Sequence, residues 1–196
     1  MVIQERICNF AAITIKQKII IMRKTFKSVI VALLAMIGVN NATAQSWTAD
    51  NGNGTYTNPL FYDEFSDPDV IRVGEDYYLA GTTMHCLPGV VVLHSKDLVN
   101  WRFCSYTMQD FFGLGDEFCL ENGKEAYGQG IWAPSIRYHN GKFYIFSNIN
   151  GHGMQVFISD KAEGPWQHIN LKGNIYDLSV LFDDDGKVYA IHKYGA

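Results

Sequence analysis

The sequence predicts an all-β protein made of repeated four-stranded units. Two observations carry this prediction. An apolar strand, a turn containing glycine and an aromatic strand recur three times, and a tryptophan opens the fourth strand of the first two units. The 196-residue chain is 47% hydrophobic and 14% aromatic, which is typical of a globular protein with a packed core.

The first unit is predicted to contain strands at 67–73, 76–83, 90–95 and 101–106. The second unit repeats this plan at 133–139, 142–148, 154–159 and 166–170, and a third begins at 177. The turns Asn140-Gly141 and Asp185-Gly186 indicate hairpins, because both turn positions tolerate a positive φ.

The spacing of the units predicts the architecture. Their starts at 67, 133 and 177 lie 66 and 44 residues apart, and the longer interval holds an insertion at 107–131 that is rich in glycine, phenylalanine and acids. A four-stranded repeat of about 44 residues is typical of a β-propeller blade. An antiparallel sandwich with similar hairpins is the alternative, but the turn and the tryptophan recur in register, which favours the propeller.

The N-terminal residues predict export. Residues 22–44 combine a basic start, a short apolar run and a small-residue cleavage site that ends at Ala44, which is typical of a secretory signal peptide. Residues 1–21 are interpreted as an upstream extension, or alternatively as a long start of the signal, and 45–57 as a linker. We therefore expect a periplasmic or extracellular protein without a membrane anchor.

Charge and cysteine content exclude several kinds of partner. Removing residues 1–44 takes away six of the 16 Lys and Arg and one of the 20 Asp and Glu, so ten basic and nineteen acidic residues remain. Nucleic acid is not an expected partner, since phosphate recognition needs a basic face. Cys86, Cys104 and Cys119 match no metal-binding spacing and are interpreted as buried apolar side chains.

Acidic residues stand at the entry of two predicted first strands. Asp67, Ala133 and Asp177 occupy the same place in their units. The first strands of propeller blades line the central channel, so these positions are expected to converge on one face. Two carboxylates beside an aromatic residue, Trp132, are what a sugar-cleaving site requires.

Three ordered motifs resemble those of glycoside hydrolase family 43. They are Ser66-Asp67-Pro68-Asp69, the segment 130–134 with Trp132, and the segment 176–186 that begins Tyr176-Asp177. The resemblance covers residues 58–196 and implies the N-terminal part of a five-bladed β-propeller catalytic domain, with about two and a half blades in this chain. It also implies a β-xylosidase or α-L-arabinofuranosidase that hydrolyses xylan- or arabinan-derived saccharides.

The resemblance further implies an inverting mechanism. Asp67 would be the general base that activates water, and Asp177 would raise the pKa of the general acid and orient it. That acid is a glutamate on a later blade, which we expect to be absent from this chain, so the chain alone is expected to be inactive. The alternatives are a turn role for Asp67 and a turn or cap role for Asp177. Asp69 is expected to face the blade wall or to cap backbone amides.

Trp132, Met84 and His85 are the predicted substrate-binding residues. Trp132 would stack on a sugar ring, with a buried blade aromatic as the alternative, and Met84 and His85 lie on the loop after the second strand. Xylosidases of the family often have an aromatic residue in place of Met84, so the choice between xyloside and arabinofuranoside stays open. No cofactor is expected, although the resemblance leaves room for a structural calcium without indicating its ligands.

Two other functions fit part of the pattern. A carbohydrate-binding propeller without catalysis would need hydrogen-bonding groups, but not two convergent carboxylates. A retaining furanosidase of the invertase type also has five blades and an early aspartate. Its Asn-Asp-Pro-Asn-Gly motif, however, differs from Ser66-Asp67-Pro68-Asp69-Val70.

Overall fold

The computed structural model describes residues 48–85, 89–108 and 113–194, with only the backbone of Tyr194. Within these ranges the chain is all-β apart from the one-turn helix α1 (Asp116–Cys119). The upstream extension and signal peptide predicted over 1–44 lie outside the described residues. No helix in the described ranges is long and apolar enough to cross a membrane.

In the described ranges, ten strands form three antiparallel sheets, which we name blades 1, 2 and 3 after the predicted propeller. Blade 1 contains β1 (Ser66–Val73), β2 (Asp76–Thr82), β3 (Val91–Ser95) and β4 (Trp101–Tyr106). Blade 2 contains β5 (Ser135–His139), β6 (Lys142–Ile149), β7 (Gly153–Ser159) and β8 (Gln167–Asn170). Blade 3 is represented by the hairpin of β9 (Ile175–Phe182) and β10 (Val188–Tyr194).

The first strands of blades 2 and 3 start two residues away from their predicted positions. β5 begins at 135 instead of 133 because Pro134 has no N–H to give to the ladder. β9 begins at 175 instead of 177, since the pairing with β10 continues on both sides of Asp177. The other strand boundaries lie within one residue of the prediction.

The two predicted hairpin turns differ in conformation. Asn140 and Gly141 have φ of 49° and 79°, so both turn positions are left-handed as the sequence indicates. In the second turn only Gly186 has a positive φ, at 77°. The Asp183 amide donates to the Lys187 carbonyl at 2.9 Å, so this hairpin closes around three residues instead of two. A single residue after a type I turn then needs the left-handed region, and glycine provides it.

Blades 1 and 2 pack against each other around the main apolar core. Ile136, Ile145 and Phe157 of blade 2 and Val92 of blade 1 are each fully buried within it. Each such side chain contributes about 1.5–3 kcal/mol to folding. Blade 3 adds to blade 2 through aromatic rings, because Phe182 stacks on His139 with ring centroids 4.4 Å apart.

The two tryptophans that recur in the sequence lie on opposite sides of blade 1. Trp166 packs into the core between the blades, and its indole Nε1–H donates to Ser105 Oγ at 3.1 Å. Trp101 packs instead on the other face of blade 1, which we name the open face. A cavity of about 350 Å³ lies on the open face. It is lined by Phe61, Asp63, Phe65, Val91, Leu93, Trp101, Phe103 and Tyr106.

Two further sequence expectations concern the predicted linker and the cysteines. The described part of the predicted linker, 48–57, forms a small bridged loop, and Asp50 Oδ2 in it accepts a hydrogen bond of 2.8 Å from Asn100 Nδ2. Cys104 and Cys119 are free and half-buried, while Cys86 lies outside the described residues. Burial raises the pKa of the Cys104 thiol to about 11, in keeping with an unreactive apolar role.

Candidate active site

Asp67 lies at a one-residue register shift in β1. Ser66 pairs with Thr82, and the ladder resumes at Asp69 opposite Ala80, so β1 holds one residue more than β2 over this stretch. The φ of Asp67 is 49°, in the left-handed region that aspartate enters more readily than most residues. The extra residue leaves Asp67 outside the ladder with its side chain exposed, which frees the carboxylate for chemistry.

Asp177 has the same local structure in β9. Tyr176 pairs with Lys193, and the ladder resumes at Ser179 opposite Ile191, again with one additional residue on the first strand. The φ of Asp177 is 53°, and its side chain is exposed. Asp67 and Asp177 therefore occupy the same structural position in different blades.

Blade 2 carries the corresponding irregularity without an acid. An isolated bridge pairs Ile131 with Ile149, and the ladder of β5 resumes at Ser135. Ala133 stands two residues before this resumption, as the two aspartates do in their blades. The one-residue excess is therefore common to all three first strands, and only blades 1 and 3 use it to present a carboxylate.

Trp132 lies beside the third blade. Its backbone N–H donates to the Asn148 carbonyl at 2.9 Å, and its carbonyl accepts from Ser147 Oγ at 2.6 Å. The half-buried indole meets the Tyr176 ring edge-on, with centroids 6.0 Å apart. Tyr176 directly precedes Asp177. Trp132 therefore packs against the residue next to Asp177.

Met84 and His85 are tied to the same region through the backbone. The Met84 carbonyl accepts from the Gly130 N–H at 3.1 Å, and the His85 carbonyl accepts from the Ile131 N–H at 2.7 Å. Thr82, which pairs with the residue before Asp67, donates from Oγ1 to the Ile131 carbonyl at 2.9 Å. The loop after β2 is therefore joined to the segment that carries Trp132.

Tyr127 and Glu64 belong to this region and were not among the predicted site residues. The Tyr127 ring packs on the His85 ring with centroids 4.6 Å apart, and its hydroxyl donates to Glu64 Oε1 at 2.8 Å. The Glu64 carboxylate raises the pKa of the Tyr127 hydroxyl, so that this group remains a hydrogen-bond donor. Tyr127 lies in the insertion between blades, outside the repeat, so no periodic pattern marks it.

Asp69 has the structural role expected from the sequence. Its Oδ2 accepts from the Ile136 backbone N–H at 2.9 Å and from Arg137 Nη1 at 2.6 Å. Blade 1 is thereby joined to the first strand of blade 2. Of the two acids around Pro68, Asp69 stabilises the contact between blades, whereas Asp67 is exposed.

In the part of the chain that the structure describes, no three His, Cys, Asp or Glu side chains are grouped as metal ligands would be.

The sequence matches a known protein family over most of its length. Residues 56–196 match the sequence profile of Glycosyl hydrolases family 43. The chain is 37% identical over 143 residues to a putative beta-xylosidase of Xylanibacter ruminicola, covering 71% of this chain and 26% of that protein. It is also 37% identical to the non-reducing end alpha-L-arabinofuranosidase BoGH43B of Bacteroides ovatus, covering 69% of this chain and 25% of that protein.

Solved structures give the same result. A bifunctional GH43-CE protein of Bacteroides eggerthii superposes with a TM-score of 0.64 at 35% identity, covering 71% of this chain and 20% of that one. The GH43 protein BlXynB of Bacillus licheniformis gives a TM-score of 0.59 at 36% identity, covering 70% of this chain and 29% of that one. The chain spans about a quarter of the length of the curated relatives that it matches.

Proposed function

The chain belongs to glycosyl hydrolase family 43, and on that premise we propose that the protein is an inverting glycosidase acting on xylan- or arabinan-derived saccharides. One observation carries the proposal. Asp67 and Asp177 occupy the same exposed, off-ladder position on the first strands of different blades. Hydrolysis with inversion needs an exposed carboxylate as base and a carboxylic acid kept protonated, and we assign the first role to Asp67 and support of the second to Asp177.

In the proposed reaction, Asp67 removes a proton from the attacking water as that water bonds to the anomeric carbon. A carboxylic acid on a later blade protonates the departing oxygen at the same time. The two groups stand about 6.5–9.5 Å apart in inverting enzymes, which leaves room for the water. Asp177 acts on the acid: its negative charge disfavours ionisation of a neighbouring carboxyl group and so keeps that group protonated near neutral pH.

Substrate binding is assigned to the region around Trp132. The indole offers an apolar face to a sugar ring, and the Met84–His85 segment forms the adjoining wall. The packing of Tyr127 on His85 adds a further aromatic residue to this wall. Relatives named as xylosidase and as arabinofuranosidase match at the same identity, so both pentosides are candidate substrates.

The whole protein is proposed to be a five-bladed propeller, to which this chain contributes blades 1 and 2 and the first hairpin of blade 3. The open face of blade 1 supports ring closure, because Trp101 stands there as Trp166 stands between blades 1 and 2. Closure would remove exposed strand edges and would bring the general acid to the channel. Residues 22–44 are proposed to export the protein to the periplasm or beyond.

Replacing Asp67 by Asn in the full-length protein tests the assignment of the base. Asparagine tolerates the same left-handed conformation but cannot accept a proton, so kcat should fall by about 10²–10⁴-fold with an unchanged melting temperature. The assay uses 4-nitrophenyl β-D-xylopyranoside and 4-nitrophenyl α-L-arabinofuranoside. Asp184→Asn, in an exposed hairpin turn, is the matched control and should behave as wild type. A kcat for Asp67→Asn near the wild-type value would remove Asp67 from the mechanism.

A further inference from the structure

Arg137 contacts the first strands of both flanking blades. It lies on β5, the first strand of blade 2, and its side chain is 24% exposed. On one side, Nη1 donates to Asp69 Oδ2 on β1 at 2.6 Å. On the other side, Nη2 donates to Ser179 Oγ on β9 at 3.0 Å, and Nε donates to the Val180 carbonyl. One guanidinium group thus joins three blades.

The residues that Arg137 holds, Asp69 and Ser179, lie close in sequence to the two candidate site aspartates. Asp69 and Ser179 are the residues at which the ladders of β1 and β9 resume after the extra residue. Each lies two residues after a candidate catalytic aspartate, Asp67 or Asp177. The aspartates themselves stand outside the ladder, so their positions depend on the anchored residues that follow them.

We propose that Arg137 is a positioning residue that sets the separation between the Asp67 and Asp177 carboxylates. The proposal rests on the proposed function, since it gives a structural basis for the geometry of the two acids. Arg137 fixes the distance between Asp69 and Ser179, and these residues fix where each off-ladder segment leaves its strand. Inversion requires the base and the general acid to be held at a defined separation across the substrate, and Asp177 is the residue that we propose to orient that acid.

The chemistry of the contact requires arginine. Three nitrogens of one rigid plane bond to a carboxylate on β1 and to a hydroxyl and a carbonyl on β9. A lysine ammonium keeps the charge but is a flexible point donor, so it can hold Asp69 without also fixing Ser179 and Val180. Arg137→Lys therefore separates positioning from simple charge pairing.

The test compares Arg137→Lys with wild type in the full-length protein on the two 4-nitrophenyl pentosides. We expect kcat to fall by about 10–100-fold, because a displacement of about 1 Å can cost that much. KM should stay within about twofold, since the substrate-binding wall is not touched. Arg102→Lys is the matched control: it removes a guanidinium bond of 2.9 Å to His94 in blade 1 and should leave kcat unchanged.

A double variant distinguishes positioning from general stability. In the Asp67→Asn background, Arg137→Lys should cause a clearly smaller loss of kcat than in wild type, because Arg137 acts partly through the position of Asp67, whose proton transfer is already lost. The proposal would be overturned if the fold-loss in kcat of the double variant equalled the product of the fold-losses of the two single variants. A wild-type kcat for Arg137→Lys would also overturn it. If Arg137→Lys is unfolded at the assay temperature, Ser179→Ala takes its place, with a kcat loss of about 3–10-fold at constant KM expected and a wild-type kcat contradicting the proposal.

The outcomes also separate this inference from the proposed function. An active Asp67→Asn enzyme would refute the catalytic assignment whatever Arg137 does. An inactive Asp67→Asn enzyme with a normal Arg137→Lys enzyme would refute the positioning role alone.

Discussion

Asp67 and Asp177 share a backbone conformation that few residue types adopt readily. Both have φ near 50°, and both stand where the first strand of a blade holds one residue more than its partner. Left-handed positions are acceptable for aspartate and asparagine, whereas other L-residues lose about 1–2 kcal/mol there. Replacement by asparagine therefore changes the charge without disturbing the chain, and it tests chemistry instead of folding.

Replacing Asp177 by Asn should move the alkaline limb of the pH–rate profile to lower pH. The proposed general acid must be protonated to act, and the charge of Asp177 keeps its pKa high. Removing that charge lowers the pKa of the acid, so activity is lost at a lower pH than in wild type. The profile of kcat/KM on the aryl pentosides measures the shift, with Asp184→Asn as the control. An alkaline limb at the wild-type pH would count against this role of Asp177.

The sequence predicts the residues that repeat, but it does not predict the contacts between repeats. Asp67, Asp177 and Trp132 could be proposed because alignment of the units places them at equivalent positions. Arg137 and Tyr127 were not predicted, because their partners come from other blades or from the insertion. Their importance depends on how the sheets face each other, which local periodicity does not contain.

At the scale of elements, the turn between β3 and β4 is organised by one carboxylate. Asp97 Oδ1 accepts from the backbone N–H groups of Val99 and Asn100 at 2.9 and 2.7 Å, and from Ser95 Oγ at 3.0 Å. Its Oδ2 accepts from Asn100 Nδ2 at 2.9 Å. These bonds, first that from the Asn100 side chain, hold the pKa of Asp97 well below its ordinary value.

Asp97→Asn should lower the free energy of unfolding of the full-length protein at pH 7 by about 1 kcal/mol, because charged hydrogen bonds at an exposed turn become neutral ones. The folded-state pKa lies below the unfolded value near 3.8. The contribution is therefore complete above pH 3.8 and declines as the pH falls toward the folded-state pKa. Thermal melting at pH 7 and pH 3 should show a smaller difference from wild type at pH 3. An equal difference at both values would show that charge is not responsible.

At the scale of the whole molecule, apolar side chains are exposed where further blades are proposed to pack. On the β9–β10 hairpin, Leu181, Val188 and Ile191 are 56%, 58% and 78% exposed. On the open face of blade 1, Phe103 is 58% exposed. Both surfaces are apolar and lie on opposite sides of the described blades, as the two ends of an unclosed ring would.

A fragment of residues 45–196 should therefore be poorly stable and inactive. Its exposed apolar surfaces would have no partner, and the proposed acid would not be present. Expression beside the full-length protein, with near-UV circular dichroism, cooperative melting and aryl pentosidase assays, measures the difference. A soluble, cooperatively melting and active fragment would contradict both ring closure and the location of the acid.

The anomeric configuration of the first product tests the central claim most directly. Proton NMR can follow hydrolysis of 4-nitrophenyl β-D-xylopyranoside or 4-nitrophenyl α-L-arabinofuranoside by the full-length protein during the first minutes, before mutarotation mixes the anomers. If Asp67 directs water to the face opposite the leaving group, the first signal should be α-xylose from the xyloside or β-arabinofuranose from the arabinofuranoside. Release of the anomer with the substrate's own configuration would show a covalent intermediate and would contradict the inverting site built from Asp67 and Asp177.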